Sequence, residues 1–250
     1  MLSATALEGL PEIAPGDDLA GIIAAALPTH SPLSDGDVLV IAHKVVSKSE
    51  GRVRRLADVN PGERAVELAA RVDKDPRQVQ VILDESREVI RARAGVLICV
   101  THHGFVCANA GVDASNVPGE DTVVLLPAAP DASARALRER IRELTGAHPG
   151  VLITDSFGRA WRIGQCDVAI GCAGITPVED WRGRLDANGR EMTATMIAVV
   201  DQLAATADLA RGKDRSQPAV LIRGAGRHVT DADGLGASAL IRPEEQDLFR

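Results

Sequence analysis

Asp155 and Ser156 follow an apolar run, Val151-Leu152-Ile153-Thr154, and Arg159 and Arg162 stand a few residues further on. Such a run reads as a buried strand. The expected strand ends on Asp155-Ser156, with a carboxylate and a hydroxyl at its C-terminal edge. A carboxylate holds a hard cation and guanidinium groups hold phosphate oxygens, so the pattern suits a metal-bound polyphosphate. The plain alternative is a turn capped by Asp155, with both arginines as surface charges.

A second stretch, Thr101 to Asn116, reads THHGFVCANAGVDASN. Asp113 and Asn116 are three residues apart, so a single turn of backbone can aim both at one ligand. Mg²⁺ typically takes one or two carboxylates plus substrate phosphates. An Asx-turn bonded only to local backbone is the alternative. His102 and His103 have no cysteine or acid at ligand spacing, so zinc is not expected there. In a third stretch, His43, Lys44, Ser47 and Lys48 follow the apolar strand Val38-Leu39-Val40-Ile41-Ala42, where a lysine can meet a phosphate.

These groups need a frame. Asp17 or Asp18 can cap a helix from Leu19 to about Leu27, ended by Pro28. Residues 61 to 93 read as helical, with a second short helix over Pro76 to Glu85. Strands are expected at Val96–Val100 and Phe105–Ala108. Asp131 can cap a helix from Ala132 to Leu144, with Gly146 just beyond its end. Glu191 to Leu209 reads as mostly helical, and Ala219–Gly224 as a final strand and turn. The small-residue run Ala169-Ile170-Gly171-Cys172-Ala173-Gly174 lets two backbones approach closely. The segment after Gly224 is Gly-rich, then acidic, and is expected to be mobile.

Composition limits the function. The chain has 250 residues and a net charge of −7, with no Tyr and only 2% aromatic residues. That balance argues against nucleic-acid binding and nearly excludes base-stacking platforms. The four cysteines form no CxxC pair and are expected to be small buried hydrophobes. No apolar stretch reaches the roughly 18 residues of a membrane span, and no signal peptide is evident. The cytoplasm is the expected compartment.

The segments LPEI (10–13), KVVSK (44–48), CANAGVDASN (107–116), ITDSFGRAWRIGQ (153–165), AIGCAG (169–174) and PAVLIRG (218–224) occur in this order. Together they resemble the coenzyme F-420-0:L-glutamate ligase family, in its stand-alone form, from about Gly9 to Gly224. The resemblance implies a mixed α/β (α+β) fold in two lobes, one domain over residues 1–250, assembled as an interwoven homodimer. It also implies a reaction. A substrate carboxylate (F-420-0) is joined to the amino group of L-glutamate while GTP is hydrolysed. A carboxylate is a poor electrophile, and phosphorylating it creates a mixed anhydride that the amine can attack. Catalysis should then be mostly positioning and charge neutralisation, with no side-chain nucleophile.

By position, Asp113 and Asp155 resemble the carboxylates of one divalent cation, Mn²⁺ or Mg²⁺. Ser156 would serve a second cation, and K⁺ is a further candidate. Leu10, Pro11, Glu12, Ile13, His43, Lys48, Asn116, Gly212 and Lys213 resemble nucleotide contacts. Two positions depart from the pattern: relatives often carry Ser at His43, and archaeal relatives often carry Glu at Lys213. Alternative readings are a ligase for a different acidic acceptor, or a GTP-binding module without ligase activity.

Overall fold

A computed structural model describes residues 1–115, 119, 121–212 and 214–248. In chain order its strands are β1 (Ser3–Ala6), β2 (Val38–Ala42), β3 (Val53–Arg55), β4 (Ser86–Arg93), β5 (Val96–Thr101), β6 (Val106–Ala108), β7 (Thr122–Val124), β8 (Gly150–Arg159), β9 (Arg162–Ala173), β10 (Val178–Asp180), β11 (Met196–Ala198) and β12 (Ala219–Arg223). The helices are α1 (Leu19–Ala25), α2 (His43–Ser49), α3 (Glu63–Val72), α4 (Pro76–Asp84), α5 (Pro130–Thr145) and α6 (Val199–Ala210).

The main sheet has the order β1-β12-β2-β8-β9. Its one parallel pair is β2 with β8, running from Val38 opposite Gly150 to Ala42 opposite Thr154. Successive side chains of a strand point to opposite faces, and here both faces are covered. Leu39, Ile41, Val151 and Ile153 pack with Leu19 and Ile23 of α1 and Ala134 and Ile141 of α5. Val38, Val40 and Leu152 pack with Val199, Val200 and Leu203 of α6. The unbroken apolar runs thus belong to strands buried on both sides, as expected. A third cluster lies apart, where Leu68, Val72, Val79 and Ile82 of α3 and α4 meet Leu97 and Cys99 of β5. The whole is a mixed α/β fold.

Local signals act largely as expected. The Asp18 side chain accepts from the Gly21 amide at the start of α1, and Gly146 closes α5 in the left-handed conformation. A Cβ on Gly171 would lie 2.5 Å from the Pro130 carbonyl group, so the glycine permits contact between β9 and the start of α5.

Four expectations are corrected. Residues 86–93 are a strand, not helix. Two register shifts in its pairing with β5 leave Ser86, Val89 and Ala92 half-buried, a spacing of three that imitates a helix. Residues 191–198 are not helical either. Their backbone pairs with 178–186 in an antiparallel arm, and the helix begins only at Val199. Strand β8 does not stop at Asp155-Ser156 but continues to Arg159, paired with β9. Asp131 does not cap α5: its carboxylate accepts from the amides of Cys172, Ala237 and Ser238. It thereby ties the segment after Gly224 to β9. Arg138, 1% exposed, holds the same segment through the carbonyls of Thr230 and Asp231 and the carboxylate of Asp233.

Candidate active site

The site is built where β2 ends and β8 runs on. Ala42 is opposite Thr154 where the β2–β8 pairing ends, and His43, the first residue of α2, lies beside Asp155, the next residue of β8. His43 Nε2 lies 3.3 Å from Asp155 Oδ1. The two atoms are close but not aligned as a hydrogen bond, and Nε2 is buried without a hydrogen-bond partner. On the other side of the ring, Nδ1 is 3.4 Å from Ser47 Oγ. Asp155 Oδ1 also accepts from the Ser156 amide at 2.8 Å.

The next residue of α2, Lys44, reaches the other motif. Its Nζ lies 2.6 Å from Asp113 Oδ2, 2.7 Å from Ser115 Oγ and 3.1 Å from the Ser115 carbonyl. Asp113 is fixed by an antiparallel bridge with Val124, and its carboxylate accepts from both the amide and the hydroxyl of Ser115. Burial pushes the Asp113 carboxyl up. The Lys44 ammonium and the Ser115 donors outweigh it and hold the group below the usual carboxylate range. Consecutive residues at the start of α2, His43 and Lys44, therefore contact Asp155 and Asp113, the two carboxylates that the resemblance implies for one cation.

Ser156 takes part in a buried polar network. Its Oγ donates to Asp167 Oδ1 at 2.6 Å, and Thr154 Oγ1 donates to Asp167 Oδ2 at 2.9 Å. Arg211, at the end of α6, pairs with Asp167 and also donates to Thr154 Oγ1. Burial lowers the Arg211 guanidinium to about 10, with Asp155 acting in the opposite direction. It therefore stays charged at neutral pH, as its 1%-exposed partner Asp167 requires. The Ser156 proton is thus directed to Asp167.

Of the expected nucleotide contacts, Lys48 and Glu12 meet at 2.5 Å across 36 residues of chain. Lys48 is almost buried and Glu12 exposed. Ile13 sits in the main core with Leu10 packed beside it, which anchors the segment that presents Pro11 and Glu12 outward. Gly212 directly follows Arg211, and a Cβ there would lie 2.8 Å from Arg215 Cγ. Asn116 and Lys213 lie outside the described residues.

Arg159 and Arg162 are not gathered at Asp155. Both are exposed near the tip of the β8–β9 hairpin, where Arg159 donates to the carbonyls of Ile163 and Gly164. His102 and His103 sit on backbone carbonyls, of Asp84 and Pro127 respectively. Among the described residues, no three His, Cys, Asp or Glu side chains form a preset metal cage. Also among them, no helix is long and apolar enough to cross a membrane.

Sequence reasoning missed Asp167 and Arg211 and gave Lys44 no specific role. One signal was present: Asp167 is an acid at the head of a buried run, and a β-hairpin places it opposite Ser156. Arg211, 44 residues further on, carried no local sign.

The family model described as F420-0:Gamma-glutamyl ligase matches residues 9–224. Among curated relatives is the coenzyme F420:L-glutamate ligase of Methanothermobacter thermautotrophicus, 43% identical, covering 100% of this chain and 99% of the relative. Proteins of the same name from Haloarcula marismortui and Archaeoglobus fulgidus are 43% and 45% identical. Each alignment covers 98% of this chain and 94% of the relative.

Proposed function

The chain belongs to the F420-0:gamma-glutamyl ligase family, and we propose that it joins L-glutamate to the carboxylate of coenzyme F-420-0 in coenzyme F-420 biosynthesis. In this reading GTP phosphorylates the acceptor carboxylate, and the glutamate amine displaces phosphate from the acyl phosphate. The observation that supports it most is the convergence of Asp113 and Asp155 on the first two residues of α2.

Asp155 and Asp113 would hold one divalent cation, Mn²⁺ or Mg²⁺, and Ser156 a second. The donors fit: two carboxylates for one cation, and a hydroxyl oxygen whose proton points to Asp167 for the other. Such cations, when bound, neutralise phosphate charge and align the reacting groups. The protein's own part is positioning. Lys48 supplies a buried ammonium beside Glu12, suited to a nucleotide phosphate once a ligand competes for it. Arg211 and Asp167 fix Ser156 and, through Gly212, the start of the loop that follows α6. Asn116 and Lys213 join the nucleotide contacts by resemblance, as do K⁺ and the homodimer. A cytoplasmic location fits these substrates.

The test is mass spectrometry of a reaction holding the purified protein, GTP, L-glutamate, Mn²⁺ and F-420-0. The expected product is heavier than F-420-0 by one or more glutamyl units, with release of GDP and phosphate. Equal turnover with ATP would overturn the GTP assignment, and glutamylation of another acid but not F-420-0 would overturn the acceptor.

A further inference from the structure

The side chain of His43 has a polar atom that no hydrogen bond among the described residues satisfies. The ring is 2% exposed, and Nε2 makes no hydrogen bond. Leaving a buried polar group unpaired costs about 1–3 kcal/mol. The position is also well determined. The last β2–β8 pair, Ala42 with Thr154, immediately precedes His43 and Asp155, and Ser47 lies on the far side of the ring.

The contact with Asp155 has the dimensions of a chelate. Imidazole nitrogen and carboxylate oxygen each bind divalent metals at about 2.0–2.2 Å. Two such donors are separated by about 2.8–3.1 Å on adjacent corners of an octahedron and about 3.3–3.6 Å on those of a tetrahedron, by simple trigonometry from those bond lengths. Nε2 and Oδ1 are 3.3 Å apart. One ion between them would engage both atoms and satisfy the orphan nitrogen.

We propose that His43 is a direct metal ligand alongside Asp155, so that this site prefers Mn²⁺, Fe²⁺ or Co²⁺ to Mg²⁺. The proposal rests on the reading of Asp155 as a cation ligand. Imidazole suits transition metals, whereas Mg²⁺ takes oxygen donors and dehydrates reluctantly. Since no three-residue cage is preset among the described residues, phosphate oxygens and water complete the coordination.

The test is electron spin-echo envelope modulation of Mn²⁺ bound to the intact protein, alone and with GDP. The expected wild-type spectrum carries the modulation of one directly bound imidazole nitrogen, and folded His43→Gln lacks it. Competition with Mg²⁺ should show the Mn²⁺ preference falling about tenfold or more in His43→Gln. Bound Mn²⁺ without nitrogen modulation, or modulation that persists in folded His43→Gln, overturns the assignment. If that occurs while Asp155→Asn still abolishes Mn²⁺ binding, only the role of His43 fails. If wild-type protein binds no Mn²⁺ with or without GDP, the cation reading of Asp155 fails with it. Should His43→Gln not fold, the wild-type spectrum still decides.

Discussion

Lys44 Nζ lies 2.6 Å from Asp113 Oδ2, so an internal ammonium occupies the carboxylate that a divalent cation needs. The same ammonium takes both oxygens of Ser115. A cation that binds Asp113 must displace this side chain.

Lys44→Gln should therefore tighten binding of free Mn²⁺. The pair is partly exposed, so its interaction is worth about 1 kcal/mol after screening, or roughly fivefold in affinity. Calorimetric titration with Mn²⁺ in the absence of nucleotide measures it. Unchanged or weaker binding would show that Lys44 does not compete.

Asp167 accepts from the Ser156 hydroxyl and pairs with the Arg211 guanidinium, which also has Asp208 Oδ1 4.0 Å from its Nε. Asp167→Asn removes the closest counter-charge of a buried guanidinium, leaving only the longer Asp208 contact, and should destabilise the fold by about 3 kcal/mol. Urea unfolding measures the loss. Adding Arg211→Met should recover part of it, since removing both charges also removes the desolvation penalty. A loss below about 1 kcal/mol would place Asp167 among ordinary surface pairs.

Gly174 has φ +68°, and a Cβ there would fall on the Arg138 guanidinium. Gly174→Ala should displace Arg138 from the carbonyls of Pro149, Thr230 and Asp231. We expect a cost of about 2–4 kcal/mol from backbone strain and lost buried hydrogen bonds together. Hydrogen exchange should show residues 226–240 opening before the main sheet does. Wild-type protection there would mean that Asp131 and the backbone bonds to Gly174 and Thr176 hold the segment without Arg138.

Burial pushes the Cys107 and Cys172 thiols up to about 12 and also raises Cys99. At pH 8 a thiol with that value is thiolate in about one molecule in ten thousand, so iodoacetamide should modify half-buried Cys166 first. The folded state binds the thiol proton more tightly than the unfolded chain. This contribution to stability is complete below the unfolded thiol value of about 8.5 and is lost as pH rises from there toward 12. Mass mapping of native-state alkylation and an unfolding series from pH 8 to about 10 check both statements.

Some features were legible because they are local. Asp18 caps the helix that begins one residue later, and Gly146 closes the helix that ends one residue earlier. The runs 38–42 and 151–154 were apolar without alternation, and both faces of those strands are buried. Residues 86–93 misled because bulges altered their inward spacing to three, and that signal comes from the partner strand. Residues 191–198 misled because an arm pairs them with a segment six to twenty residues upstream.

The sequence by itself determined which residue types could do chemistry: Asp113, Asp155 and Lys48 stand at turns or beside apolar runs, while the LPEI segment entered through the family resemblance. It did so because capping, burial on both strand faces and motif chemistry depend on neighbours within a few positions. Only the tertiary structure decided which of these groups meet. The parallel β2–β8 register puts His43 against Asp155, the turn into α2 carries Lys44 to Asp113, and the β8–β9 hairpin with α6 closes Ser156, Asp167 and Arg211 into one network. Such contacts join residues tens of positions apart. They are fixed by strand register and packing, which no short window of sequence contains.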